Sequence, residues 1–159
     1  MTFTIETVRS DLSEQVSALI HLSFSTLAAA DWEPAACQTF LLESRPQSMA
    51  AKIQSATYSI GAFSNGMLIG CLLMSSPDIM SMLFVHPSYL RKAVGRSLWI
   101  SARAHITKNF TNIKTVELNA TPNALRFYRS IGFMPISSAF EIGGCRATRM
   151  ACLLPTSNE

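Results

Sequence analysis

The spacing of apolar and polar residues changes several times along the chain, and each change marks an element. Residues 3–8 alternate, as a half-buried strand does. After Ser10-Asp11, the apolar positions Val16, Leu19, Ile20, Phe24 and Leu27 fall on one helical face. Pro34 opens a second helical stretch with Cys37, Phe40 and Leu41, and a third short helix over 48–55 is expected after Pro46. At residue 57 the period shortens. Two apolar arms, 58–63 and 67–74, flank Asn65-Gly66, the residue pair a tight hairpin turn favours. The second arm is apolar almost without a break, which predicts a central strand covered on both faces. Pro77-Asp78 leads into a strand over 79–85, stopped by Pro87.

The second half alternates helix and strand. A helix over 94–108 carries Val94, Leu98, Trp99, Ala102 and Ile106 on one face, and a strand follows over 115–119. Thr121-Pro122 reads as an N-cap followed by a first-turn proline, with Gly132 ending that helix. Residues 133–142, Gly143-Gly144 and residues 145–154 read as a closing hairpin, and 155–159 as a frayed tail. A strand, a helix and a further strand imply a parallel crossover from 79–85 to 115–119. The expectation is one α/β domain over 1–159, core 3–154. Its mixed sheet should have about seven strands and helices on both faces.

Composition narrows the function classes. At 48% hydrophobic over 159 residues the chain can bury a sizeable core and is not disordered. Only 14% of residues are charged, so apolar surface is available for a homodimer interface or a binding cleft. A net charge of +3, without a clustered basic face, argues against nucleic acid. No apolar run approaches the ~20 residues of a membrane span. The N-terminus lacks the basic and apolar parts of a signal peptide, so the expected location is the cytoplasm. Cys37, Cys71, Cys145 and Cys152 show no metal-ligand spacing and are expected to be buried, reduced thiols; no metal site is expected.

The stretch that carries chemistry runs over 83–98: a strand, a short basic loop and a helix beginning near a glycine. Arg91, Lys92 and Arg96, with the free N–H groups of the helix start, suit a phosphate or pyrophosphate. Gly95 would let the backbone come close to such a ligand.

This segment resembles motif A of the GCN5-related N-acetyltransferases, V-x-P-x-[aromatic]-[Q/R]-x-x-G-x-[G/A]. Val85, Pro87, Tyr89 and Gly95 match in register, while Leu90 and Ala93 replace the family's Gln/Arg and first glycine. An alanine at 93 is comfortable only at negative φ. Residues 118–133 are similar to motif B, L-x-A-[ST]-x-x-A-x-x-[FL]-Y-x-x-x-G-F. Leu118, Ala120, Thr121, Ala124, Phe127, Tyr128, Gly132 and Phe133 all match. The resemblance covers about residues 3–154 and implies the acyl-CoA N-acyltransferase fold of that family.

It also implies acetyl-CoA (coenzyme A) as co-substrate, in a V-shaped gap between strands 79–85 and 115–119. Main-chain groups of Leu83, Phe84 and Val85 would pair with the pantetheine arm. N–H groups of Arg91, Lys92, Ala93, Val94, Gly95 and Arg96 would hold the pyrophosphate. A primary amine, from a small molecule, a peptide N-terminus or a lysine, would attack directly. Tyr128 is the expected general acid for the departing thiolate. Glu117 is the first candidate base and Asp78 the second, while Thr121 is expected to cap its helix and Asn123 to reach the pantetheine. Trp32, Phe40 and Leu41 fall where the fold covers the acceptor, with ordinary packing as their simplest role. His21, His86 and His105 are read as structural or loop residues. The alternative is a non-catalytic acyl-CoA-binding or interaction module on the same fold.

Overall fold

The computed structural model describes residues 2–155; of the tail expected at 155–159, residues 156–159 lie outside the described residues. The chain opens with strand β1 (Thr4–Thr7), followed by helices α1 (Ser13–Leu27), α2 (Pro34–Glu43) and α3 (Pro46–Ser55). A meander follows: β2 (Tyr58–Ser64), β3 (Met67–Ser76) and β4 (Ile79–Val85). Next come α4 (Val94–Asn109), β5 (Thr115–Ala120), α5 (Leu125–Ser130), β6 (Met134–Pro135), β7 (Phe140–Ile142) and β8 (Cys145–Leu153). The sheet has eight strands in the order β1-β2-β3-β4-β5-β8-β6, with β7 pairing β8 beyond that path. This is the expected mixed α/β sheet with helices on both faces.

Local chemistry explains most boundaries. Pro34 and Pro46 occupy first-turn positions of α2 and α3, where a missing N–H costs nothing. Asn65 and Gly66 take φ of 51° and 76°, which closes the β2–β3 hairpin with Ser64 opposite Met67. β3 is buried from Leu68 through Met74, as a strand covered on both faces must be.

One face of the sheet is covered by α4. Val94, Leu98, Trp99, Ala102 and Ile106 are all buried there, against Ile69, Leu72, Val116, Leu118 and Met150. Each of the larger aliphatic side chains contributes roughly 1.5–3 kcal/mol. Truncating Trp99 to Ala would cost about 3–5 kcal/mol. The other face of the first half-sheet is covered by α1 and α3, through Val16, Leu19, Ile20, Met49 and Ile53 on Leu68, Cys71 and Leu73.

Three details differ from expectation. The segment expected as one strand over 133–142 is two. Pro135 lacks a donor, and the Arg149 N–H instead donates to Ser137 Oγ at 3.0 Å, so the ladder breaks. The motif B helix begins at Leu125, after a 3₁₀ turn over Pro122–Ala124. Of the four free thiols only Cys71 and Cys152 are buried, and burial pushes the Cys71 thiol up to about 12. No described helix is long and apolar enough to cross a membrane.

Candidate active site

β4 and β5 are parallel neighbours that share a single registered pair, Ile79 with Glu117. The Glu117 N–H donates to the Asp78 carbonyl at 2.8 Å. Beyond that point β4 stays bonded to β3 as far as Val85, and β5 stays bonded to β8 as far as Ala120. The two strands therefore diverge, leaving facing edges without a strand partner. A bulge in β4 accompanies the divergence. Leu73 pairs with Met82 and Met74 with Met80, so Ser81 is the extra residue, its hydroxyl donating to the Leu73 carbonyl at 3.2 Å. Leu83, Phe84 and Val85 lie on the open edge, where main-chain groups need partners.

At the wide end the chain turns sharply. His86 Nδ1 accepts from the Ser88 N–H, confirming a loop role, and Lys92 Nζ stands 5.7 Å from the Tyr89 ring centre. Arg91 and Ala93 adopt φ of 61° and 64°. The expectation of negative φ at Ala93 is overturned: the reversal that brings the α4 N-terminus to the gap demands a left-handed residue. Where the family has glycine this is free; alanine pays roughly 1–2 kcal/mol. Turns of this kind gather N–H groups into anion-binding concavities. α4 starts at Val94 with no side-chain cap and no acid in its first turn. Its first N–H groups and positive dipole end are thus open to an anion. Arg91, Lys92 and Arg96 are exposed around it and form no ion pair among the described residues.

Gly95 serves a contact the sequence did not reveal. An added Cβ there would lie 2.8 Å from Cζ of Phe127, a residue 36% exposed whose ring rests on the first turn of α4. The close approach that Gly95 permits is made here by that ring.

Tyr128 follows on α5, its ring set edge-on to Phe127 at 5.3 Å and to Phe133 at 5.8 Å. Its carbonyl accepts from the Phe133 N–H at 3.0 Å, which fixes the helix end. The hydroxyl makes no hydrogen bond among the described residues. Burial holds the phenol well above its usual range, so it remains a proton donor throughout neutral and mildly alkaline pH. Thr121 holds the expected N-cap position before Pro122, but its side chain makes no capping bond. Its hydroxyl donates instead to Asn123 Oδ1 at 2.6 Å, leaving the Asn123 amide nitrogen free.

Glu117 and Asn119 point out from the face opposite buried Val116 and Leu118. Arg149, on β8 opposite Asn119, binds both: Nε donates to Glu117 Oε1 at 2.9 Å and Nη1 to Asn119 Oδ1 at 3.1 Å. Asp78 sits at the closed end of the gap and accepts from Ser76 Oγ at 2.7 Å, away from the open edge. His105 stacks on Tyr58 at 3.9 Å, outside the site. Sequence reasoning missed Arg149 because its partners are 30 and 32 residues away and it lies outside both motifs.

The comparisons agree with this geometry. A model of the acetyltransferase (GNAT) domain matches residues 28–154. No protein of curated function matches the sequence. A GCN5-related N-acetyltransferase from Rhodopseudomonas palustris superposes with TM-score 0.84 at 20% identity, covering 97% of both chains. The PaiA N-acetyltransferase of Thermoplasma acidophilum, solved in complex with coenzyme A, gives 0.81 at 18% identity over 96% of this chain and 99% of its own. The ribosomal-protein-S18-alanine N-acetyltransferase of Escherichia coli gives 0.68 at 18% identity, covering 99% and 97%.

Proposed function

The chain belongs to the GNAT acetyltransferase family, and from that premise we propose that it moves the acetyl group of acetyl-CoA onto a primary amine, acting as one domain with Tyr128 as general acid. The observation that carries the reading is the wedge between β4 and β5. It ends at an uncapped, cation-flanked helix start, with a protonated phenol on the adjoining helix.

Acetyl-CoA supplies the activated acyl group. The open edge at Leu83, Phe84 and Val85 suits an extended amide chain, which adds to it as a strand would. The N–H groups from Arg91 to Arg96 suit the pyrophosphate, and the free amide nitrogen of Asn123 suits a pantetheine carbonyl. In the transfer an N–C bond forms and the C–S bond breaks. The ammonium loses two protons, one before attack and one as the amide forms. Tyr128 gives the thiolate its proton and is reprotonated by the second of these, so that one proton in all is released. Arg149 occupies Oε1 of Glu117 and fixes its side chain; Oε2 takes the ammonium proton through water.

The test is release of free thiol from acetyl-CoA in the presence of a panel of amines, with coenzyme A affinity measured separately by calorimetry. Amine-dependent thiol release is expected. Coenzyme A binding without release by any amine would return the protein to the non-catalytic alternative.

A further inference from the structure

Charge is unevenly divided along this chain. Between Asp78 and Glu141 the sequence holds one acid, Glu117, against eight of its thirteen lysines and arginines. The remainder holds nine of the ten acids and five basic residues. The first segment builds the phosphate end of the wedge. The second builds α1, α2 and α3 and the β7–β8 hairpin tip, which lie across the other side of β4. An anionic co-substrate and a cationic amine would therefore approach through fields of opposite sign.

The acidic side also holds an aromatic series that reaches the wedge. Phe24 of α1 meets Trp32 at 4.9 Å and Phe40 of α2 at 4.4 Å, and Trp32 meets Phe40 at 5.5 Å. Phe40 then meets Phe84 at 6.0 Å. Phe84 is a residue of β4 itself, packed with Met82 on the α1 side while Leu83 and Val85 pack on the α4 side. Trp32, Phe40 and Phe84 are each half-buried, so ring surface is still available. Asp31 and Glu33, both exposed, flank Trp32. The Glu33 N–H donates to the Gly144 carbonyl at 3.2 Å, so the hairpin tip closes over the start of α2 beside these rings.

From the acids, the rings and the closed tip together, we infer that the acceptor is an amine carried on an aromatic body. The body packs on Trp32, Phe40 and Phe84 with its amino group toward β5, and the negative charge of Asp31 and Glu33 attracts the cation as it approaches. This inference rests on the acetyl-transfer reading and names the substrate class of that same site. Rings provide flat apolar area and attract cations over their faces, so a site of this composition selects the body of the amine as well as its charge.

The experiment compares phenethylamine and benzylamine with ethanolamine and putrescine in thiol release. It uses the wild type, Trp32→Ala and Trp32→Phe, with coenzyme A affinity measured in parallel. The aromatic amines should be favoured at least ~10-fold in kcat/KM, the scale of discrimination an apolar pocket provides. Trp32→Ala should raise KM for phenethylamine by about that factor with kcat and coenzyme A affinity unchanged, and Trp32→Phe should recover most of it. Equal turnover of all four amines, or discrimination untouched by Trp32→Ala, overturns the inference and leaves acetyl transfer standing.

A second readout decides the matter without turnover. Trp99 is 1% exposed, so quenching of tryptophan emission by phenethylamine in the coenzyme A complex reports on Trp32. Quenching that Trp32→Phe removes supports the aromatic seat. Its absence in the wild type overturns it, whatever the fate of the transfer reading.

Discussion

The two sides of the wedge are built differently. The side proposed for the phosphates is one continuous piece of chain: β4, a turn with two left-handed residues, and the first turn of α4. It lies within about a dozen residues and offers mainly backbone groups. The side proposed for the amine draws on α1, α2, β4, β5 and β8, through side-chain contacts such as Phe40 against Phe84 or Arg149 against Glu117. A site made of backbone tolerates changes of side chain as long as the turn forms. A site made of distant side chains can change its ligand with a few substitutions.

That contrast is sharpened most by Tyr128, on the helix that follows β5. Tyr128→Phe should lower kcat on the order of 10²-fold while leaving coenzyme A affinity intact. Because burial raises this phenol, wild-type kcat should show no alkaline fall from Tyr128 up to about pH 10, the ordinary phenol value. Wild-type kcat in the Phe variant, measured where chemistry limits the rate, would make Tyr128 a packing residue.

The next effect tests the backbone side. Gly95→Val forces Phe127 off the first turn of α4, which should cost about 1–3 kcal/mol in denaturant unfolding. It should also weaken coenzyme A more than Arg103→Ala does. Adding Phe127→Ala should restore part of the lost stability; if it does not, the clash lies elsewhere.

A smaller change goes the other way. Ala93→Gly removes left-handed strain at the cost of a more flexible unfolded chain, so stability should shift by less than about 1 kcal/mol. Coenzyme A affinity should hold or rise, and a clear loss would show that the alanine methyl makes a useful contact.

The smallest expected effect lies outside both regions. Burial first, and then the Lys108 charge, lower the His105 pKa, in keeping with an Asn109 amide set 3.3 Å from His105 Nδ1. The folded state prefers the neutral ring. Its contribution is therefore complete above the ordinary histidine value of about 6.5 and is lost as pH falls through the lower folded value. Between pH 7 and 5 the wild-type Tm should fall slightly more than that of His105→Phe, with no change in kcat attributable to this residue.

The same division decides what could be read in advance. The hairpin at Asn65-Gly66, the buried face of α4 and the crossover to β5 are written in local periodicity and turn chemistry, and they stand where expected. The break at Ile136–Ala139 depends on a bond from Arg149 to Ser137 that no short window contains. Thr121 carried a valid cap signal, yet a neighbouring Asn123 took its hydroxyl. The φ of Ala93 is imposed by where α4 must point, not by the residue's own preference. Glu117 was placed on the correct face, but its partner Arg149 comes from the far end of the chain.

The single rung between Ile79 and Glu117 has a mechanical consequence. The sheet is two stiff plates, β1–β4 and β5-β8-β6, joined at one point and resting on the common bed of α4. Such a joint is compliant: bending it breaks few bonds. An extended molecule seated between the plates adds rungs along the open edges and turns a hinge into a weld. Backbone amides of β5 that exchange readily with solvent in the free protein should then exchange slowly when coenzyme A is bound, while those of β3 stay slow in both states. The plates would thereby lose their play at the moment the reacting groups must be held still.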